Sequence, residues 1–167
     1  DTNISAERLA DPILERARGR EVLCVDDSSV ALAQLRETLS QLGLKIHTAS
    51  DGLKGLNMLK AWADAGEVLT DKLLMVFTDA EMPEMDGYEA TRQIRKEARW
   101  KNLPIIAVTA KAMKGDRQKC IQAGASDYVS KPVDIDHLVS VLRVCIQRAD
   151  AQRLAGEGVV PLIPQAS

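Results

Sequence analysis

Five short apolar runs punctuate the chain: VLCV at 22–25, LKIHTA at 44–49, LLMVF at 73–77, IIAVTA at 105–110 and DYVS at 127–130. Each has strand length, and segments with helical spacing separate them. Leu32, Leu35, Leu39 and Leu42 share one helix face, and Gly43 follows as a stop signal. Leu53, Leu56, Leu59 and Ala63 repeat the pattern after the turn signal SDG. Asp86 and Glu89 have capping-box spacing for a helix through Ile94 to about Ala98. Ile135, Leu138, Leu142 and Cys145 line a last helix that Asp134 can cap. Strand–helix alternation five times over predicts an α/β fold, a doubly wound parallel sheet with helices on both faces. Right-handed crossovers put the C-terminal ends of all strands along one edge, where ligands of such folds bind.

The 167 residues suffice for one sizeable domain with short appendages. Three parts are expected: a helical N-terminal linker over 1–19, a folded domain over 20–149 and a flexible tail over 150–167. The net charge of −2 comes without a basic cluster, which argues against nucleic acid as a partner. No apolar run is long enough to span a bilayer, and the N-terminus lacks a signal-peptide pattern. Cys24, Cys120 and Cys145 are widely spaced in apolar segments. They read as small buried hydrophobes in a reducing, cytoplasmic setting rather than a metal or disulfide framework. His47 and His137 stand apart from them and are given no ligand role. The run KAMKGDRQKCIQAGA after 110 is the least apolar of the helical segments, as a movable element or an ordinary edge helix would be.

The strand ends carry the chemistry. The first run ends in Asp26 and Asp27, the third in Asp79, the fourth in Thr109 and the fifth in Ser130, Lys131 and Pro132. In the sheet order 2-1-3-4-5, strand one lies beside strand three, so three carboxylates converge. Like charges that close raise one another's pKa values unless a cation neutralises them. An all-oxygen cluster suits Mg²⁺ or Mn²⁺ and not zinc. Lys131 adds a mobile positive charge and Thr109 a small hydroxyl donor. Taken singly, each has an ordinary structural reading: a helix N-cap, a β-branched strand residue, a solvated lysine. Together, at successive strand ends, they match phosphoryl transfer to a carboxylate, in which a nucleophilic Asp forms an acyl phosphate.

The pieces VLCVDDS, FTDAEMPEMDGYEATRQIR, PIIAVTA and AGASDYVSKPV, spread over roughly 20–149, resemble the response-regulator receiver domain of two-component signalling. The resemblance implies a flavodoxin-like fold and makes Asp79 the phosphoacceptor. It implies Mg²⁺ held by Asp27, by Asp26 partly through water, by Asp79 and by the backbone carbonyl of Glu81. Thr109 would swing toward the phosphoryl group, Tyr128 would turn inward behind it, and Lys131 would bridge to its oxygens. A cis Lys131–Pro132 bond is expected, with Pro83 and Gly87 shaping the loop after Asp79. Glu81 and Lys111 flank the site as rim residues that tune phosphate lifetime, expected to pair across its mouth.

The implied partners are a histidine kinase or histidine phosphotransfer domain upstream. Downstream is a protein on the surface made by the helix after 111, strand five and the final helix. The module would catalyse only its own phosphorylation and dephosphorylation. Receivers of hybrid sensor kinases, and those fused to chemotaxis coupling or kinase proteins, are the most similar in pattern; a stand-alone regulator is the third option. A Mg²⁺-dependent phosphatase of haloacid-dehalogenase type is the alternative. That class places its nucleophile after the first strand and adds a substrate-specifying cap.

Overall fold

The structure is a computed structural model and describes residues 2–82, 85–110 and 114–156. Five strands form one parallel sheet in the order β2-β1-β3-β4-β5. They are β1 (Glu21–Val25), β2 (Lys45–Ala49), β3 (Leu73–Asp79), β4 (Ile105–Thr109) and β5 (Asp127–Ser130). The helices are α1 (Ala6–Leu9), α2 (Pro12–Glu15), α3 (Ser29–Ser40), α4 (Gly52–Asp64), α5 (Leu69–Lys72), α6 (Gly87–Lys96), α7 (Lys114–Gln122) and α8 (Ile135–Gly156). The fold is the doubly wound α/β sheet expected from the alternation of runs.

Side chains alternate along each strand, so the sheet feeds two cores. Val22 and Cys24 of β1, Met75 and Phe77 of β3 and Ile106 of β4 pack beneath α3 and α8, against Leu39, Leu138 and Leu142. Leu23, Val76 and Ile105 face the other way, against Leu56 and Leu59 of α4 and Ile94 of α6. Every residue of β3 is buried, as befits the middle strand. A small third cluster joins Ala107, Cys120 and Ala125 to the half-buried Tyr88 and Tyr128 under α7, a mostly polar helix whose Ile121 is exposed. All three cysteines are buried and free; burial pushes the Cys24 thiol up to about 12.

Helix starts follow local hydrogen bonding. Ser28 Oγ accepts from Ala31 N–H, Asp51 Oδ1 from Lys54 N–H and Asp86 Oδ1 from Glu89 N–H. Glu89 does not close the capping box: its carboxylate is engaged by Gln93 and Arg92. Gly43 takes φ +75° just past α3, the left-handed turn that only glycine accepts readily.

The two ends depart from expectation. Residues 2–20 are not a free linker. Ile4, Leu14 and Ala17 are buried in the same core as Leu39 and Leu142. Gln41 at the end of α3 donates to Thr2 O and accepts from Ile4 N–H. Although the segment carries Arg and Glu, its apolar residues pack into the core beside α3 and α8. At the other end α8 continues past Ala149 to Gly156, because Ala, Gln, Arg and Leu sustain a helix. The remaining tail residues, 157–167, lie outside the described residues.

At the N-terminal edge of the strands, Arg20, Arg99 and Arg153 border a cleft of about 690 Å³ that Asp71 and Asp150 also line. Among the described residues, no helix is long and apolar enough to cross a membrane.

Candidate functional site

The sheet order makes the site. Val25 of β1 pairs with Thr78 of β3, so the residues that follow, Asp26 and Asp79, emerge side by side. Carboxylate oxygens of Asp26, Asp27 and Asp79 lie within 4.8 Å of one another. Asp26 and Asp79 are only 6% and 3% exposed, whereas Asp27 faces solvent. Asp26 Oδ1 accepts from Ser28 N–H at 2.9 Å, and Asp79 Oδ1 from Glu81 N–H at 3.1 Å. Ser28, not Asp27, caps α3, which leaves Asp27 available to the cluster.

β4 and β5 bring in the remaining groups. Lys131 N–H donates to Thr109 O at 2.8 Å, and the Lys131–Pro132 bond is cis. The Lys131 ammonium lies 2.7 Å from Asp26 Oδ2 and 3.3 Å from Asp79 Oδ2. Thr109 is buried, and its hydroxyl donates to Glu81 Oε1 at 2.5 Å. Tyr128 is half-buried with its ring edge-on to His137 at 5.6 Å, and the Arg117 guanidinium lies 5.4 Å from its centre.

Burial pushes the Asp79 carboxyl up to about 7; the Glu81 N–H opposes this, the Asp26 charge adds to it and the Lys131 charge opposes it. Burial also works against the Lys131 ammonium, yet its hydrogen bond to Asp26 and the charges of both carboxylates hold its pKa above the ordinary lysine value. One ammonium thus faces three carboxylates. An octahedral Mg²⁺ with ligands near 2.1 Å places its donor oxygens about 3–4 Å apart. The cluster is near that span, its donors are all hard oxygens, and its charge surplus is what a divalent cation would offset. The residues fit such an ion.

Asp26, Asp27, Asp79, Thr109 and Lys131 are therefore brought together as the strand-end reading expects. Glu81 sits at the rim, but its side chain is bound to Thr109. The expected partner, Lys111, lies outside the described residues, as do Pro83 and Glu84. Sequence reasoning missed the Glu81–Thr109 bond and the placing of Tyr128 between Arg117 and His137. The position of His137 in the first turn of α8, opposite the strand that holds Tyr128, was the available signal for the latter. The haloacid-dehalogenase alternative does not match, because Asp79 ends the third strand in the sequence and not the first.

A family profile described as the response regulator receiver domain matches residues 22–143. The sensor histidine kinase CheAY of Helicobacter pylori is 40% identical over 126 residues, which are 75% of this chain and 15% of that protein. The chain thus spans well under a quarter of that curated relative. The receiver domain of the histidine kinase CKI1 from Arabidopsis thaliana, complexed with Mg²⁺ and BeF₃⁻, superposes with a TM-score of 0.66 at 33% identity, covering 80% of this chain and 94% of that one. A chain of the co-crystal of the Saccharomyces cerevisiae histidine phosphotransfer protein Ypd1 with the receiver domain of Ssk1 gives 0.63 at 26% identity, covering 74% and 86%. A profile match over most of the sheet and helices, beside relatives this similar, leaves one assignment: the chain belongs to the response regulator receiver domain family of two-component signalling.

Proposed function

We propose that the chain accepts a phosphoryl group on Asp79 from a phosphohistidine of a histidine kinase or histidine phosphotransfer protein. The observation that carries this reading is the buried carboxylate of Asp79 at the end of the middle strand, with the Lys131 ammonium 3.3 Å away and Asp26 and Asp27 beside it. An Asp79 oxygen attacks phosphorus while the P–N bond breaks; the electron pair returns to the imidazole nitrogen, which takes a proton from water. The product is an acyl phosphate. Asp26, Asp27, Asp79 and the Glu81 carbonyl would hold Mg²⁺, with Mn²⁺ suited to the same donors. When bound, the ion supplies positive charge against the phosphoryl oxygens. Lys131 moves from the carboxylates to a non-bridging oxygen, and Thr109 turns its hydroxyl from Glu81 to another. Glu81 and Lys111 at the rim set how readily water reaches the acyl phosphate.

The phosphoryl group adds roughly two negative charges. Departure of the Thr109 hydroxyl from its present bond opens space into which Tyr128 turns, biasing the surface of α7, β5 and α8 toward a second state. A downstream protein reads that surface. CheAY and the Ypd1–Ssk1 complex support the choice of partners, which act in the cytoplasm in this reading. Whether the receiver serves a hybrid kinase, a chemotaxis fusion or a separate regulator is a property of the whole protein.

Incubation with acetyl phosphate and Mg²⁺, followed by intact mass measurement, tests the proposal. The native chain should gain a single phosphoryl group that decays slowly, and Asp79→Asn should gain none. Labelling that persists in Asp79→Asn, or steady release of many phosphates per molecule, would refute it; the second result is the phosphatase outcome.

A further inference from the structure

The segment ahead of β1 docks by a code written along α8. Asp136, Arg143 and Asp150 stand seven residues apart, so they form one stripe on the helix. Against them lie Arg8, Asp11 and Arg16 in the same chain direction: Arg8 pairs with Asp136, Asp11 with Arg143, and Arg16 with Asp150 at 2.8 Å. The signs alternate on both sides, so a slip by one pair would set like charges together. Exposed ion pairs hold little energy individually. The burial of Ile4, Leu14 and Ala17 supplies adhesion, and the charges set register.

The backbone is shaped to that register. From 136 to 150, α8 rises about 21 Å, whereas an unbroken helix over 8–16 would rise only about 12 Å. The break between α1 and α2 supplies part of the difference, and the reach of the Arg8 and Arg16 side chains supplies the remainder. Asp11 is extended there, at φ −61° and ψ 121°, and Pro12 opens α2. Asp11 serves both ends of the arrangement: Oδ1 accepts from Ile13 N–H at 2.9 Å, and Oδ2 holds Arg143.

The stripe begins one residue from the switch. Asp136, which holds Arg8, precedes His137, whose ring stands edge-on to Tyr128. Resting on the phosphoacceptor reading, we propose that residues 2–20 are an intramolecular output strap, whose docking on α8 loosens when Asp79 carries a phosphoryl group. The inward turn of Tyr128 removes the packing partner of His137. The first turn of α8 then holds Arg8 less firmly, and the strap dissociates more often. Tyr128 is the two-state element that both ends bias, which is the physical requirement for coupling. By reciprocity, a loosened strap favours the phosphorylated state.

The full chain with Mg²⁺ and beryllofluoride, followed by ¹⁹F NMR and amide hydrogen exchange, decides the matter. Bound fluoride resonances should appear, and amides of 6–18 should exchange about fivefold faster or more, the lower end of usual allosteric coupling. His137→Ala should keep the bound resonances and lose the change in exchange, whereas His137→Phe, which retains a ring against Tyr128, should keep both. Asp136→Arg alone should speed exchange in the strap, and adding Arg8→Asp should restore protection. Bound fluoride with no change at 6–18 in the native chain, or coupling that survives His137→Ala, would overturn the strap. Absence of bound fluoride would overturn the phosphoacceptor reading and the strap with it.

Discussion

The proposed reaction needs Asp79 ionised, and that residue sits where ionisation costs free energy. Burial, with the Asp26 charge, pushes its pKa up to about 7 from an ordinary value of 3.8. The folded state therefore binds this proton more tightly than the unfolded chain does. Stability contributed by that proton is present at low pH and is lost as pH rises from about 4 to about 7. In metal-free buffer, Asp79→Asn should raise the thermal midpoint at pH 8 by about 3 °C or more and should leave it unchanged below pH 4. A lower midpoint at pH 8 would mean that the contacts of the carboxylate with Glu81 N–H and Lys131 outweigh its burial. The site acids and Lys131 were legible in the sequence because a parallel sheet sends all its strand ends to one edge. The Glu81–Thr109 bond was not, since it depends on how two separate loops approach and no spacing encodes that. Glu81 accepts from the Thr109 hydroxyl, while its expected partner Lys111 lies outside the described residues.

Among the elements, α6 is tied to the site at one end and to the opposite edge at the other. Its first residue must be Gly87: a Cβ there would lie 2.1 Å from the Asp79 carbonyl oxygen. Near its last turn, the Arg95 guanidinium donates to Gly124 O, Trp100 O and Leu103 O, each at 2.8 Å. One side chain thus gathers three carbonyls from two loops. Arg95→Ala should cost about 2–4 kcal/mol in urea unfolding, because those acceptors lose a charged donor. Arg95→Lys should recover less than half, since an ammonium cannot fork between them. A loss under 1 kcal/mol would show that water replaces the guanidinium. Periodicity and capping residues revealed α3, α4, α6 and α8 in the sequence. The helical character of the segment holding α1 and α2 was legible too, but its docking on α8 was not, because two one-turn helices show no period that marks a buried face. The end of α8 is hard to place from sequence for a related reason: Gly156, Gly158 and Pro161 follow closely on its last helix-forming residues.

At the scale of the molecule, a net charge of −2 conceals a separation of sign. Asp26, Asp27 and Asp79 outnumber Lys131 at one end of the sheet, while Arg20, Arg99 and Arg153 outnumber Asp71 and Asp150 around the cleft at the other. The fold class followed from the order of runs alone, but this polarity needed the topology, because the charges involved are scattered along the chain. A body of this kind is a dipole, and a dipole feels torque in a partner's field before it feels much net attraction. A phosphohistidine protein presenting a basic docking surface should turn the acidic end toward itself during approach, so association should be oriented and sensitive to salt. Raising KCl from about 0.05 to about 0.5 M should slow association by about tenfold, because screening shortens the reach of the field, and should leave the transfer step within the bound pair unchanged. Stopped-flow measurement of the two steps separates them, and an association rate indifferent to salt would refute oriented approach. If association proves oriented, the arginines of the far cleft act without touching the partner, as the counterweight that turns a nearly neutral protein the right way round.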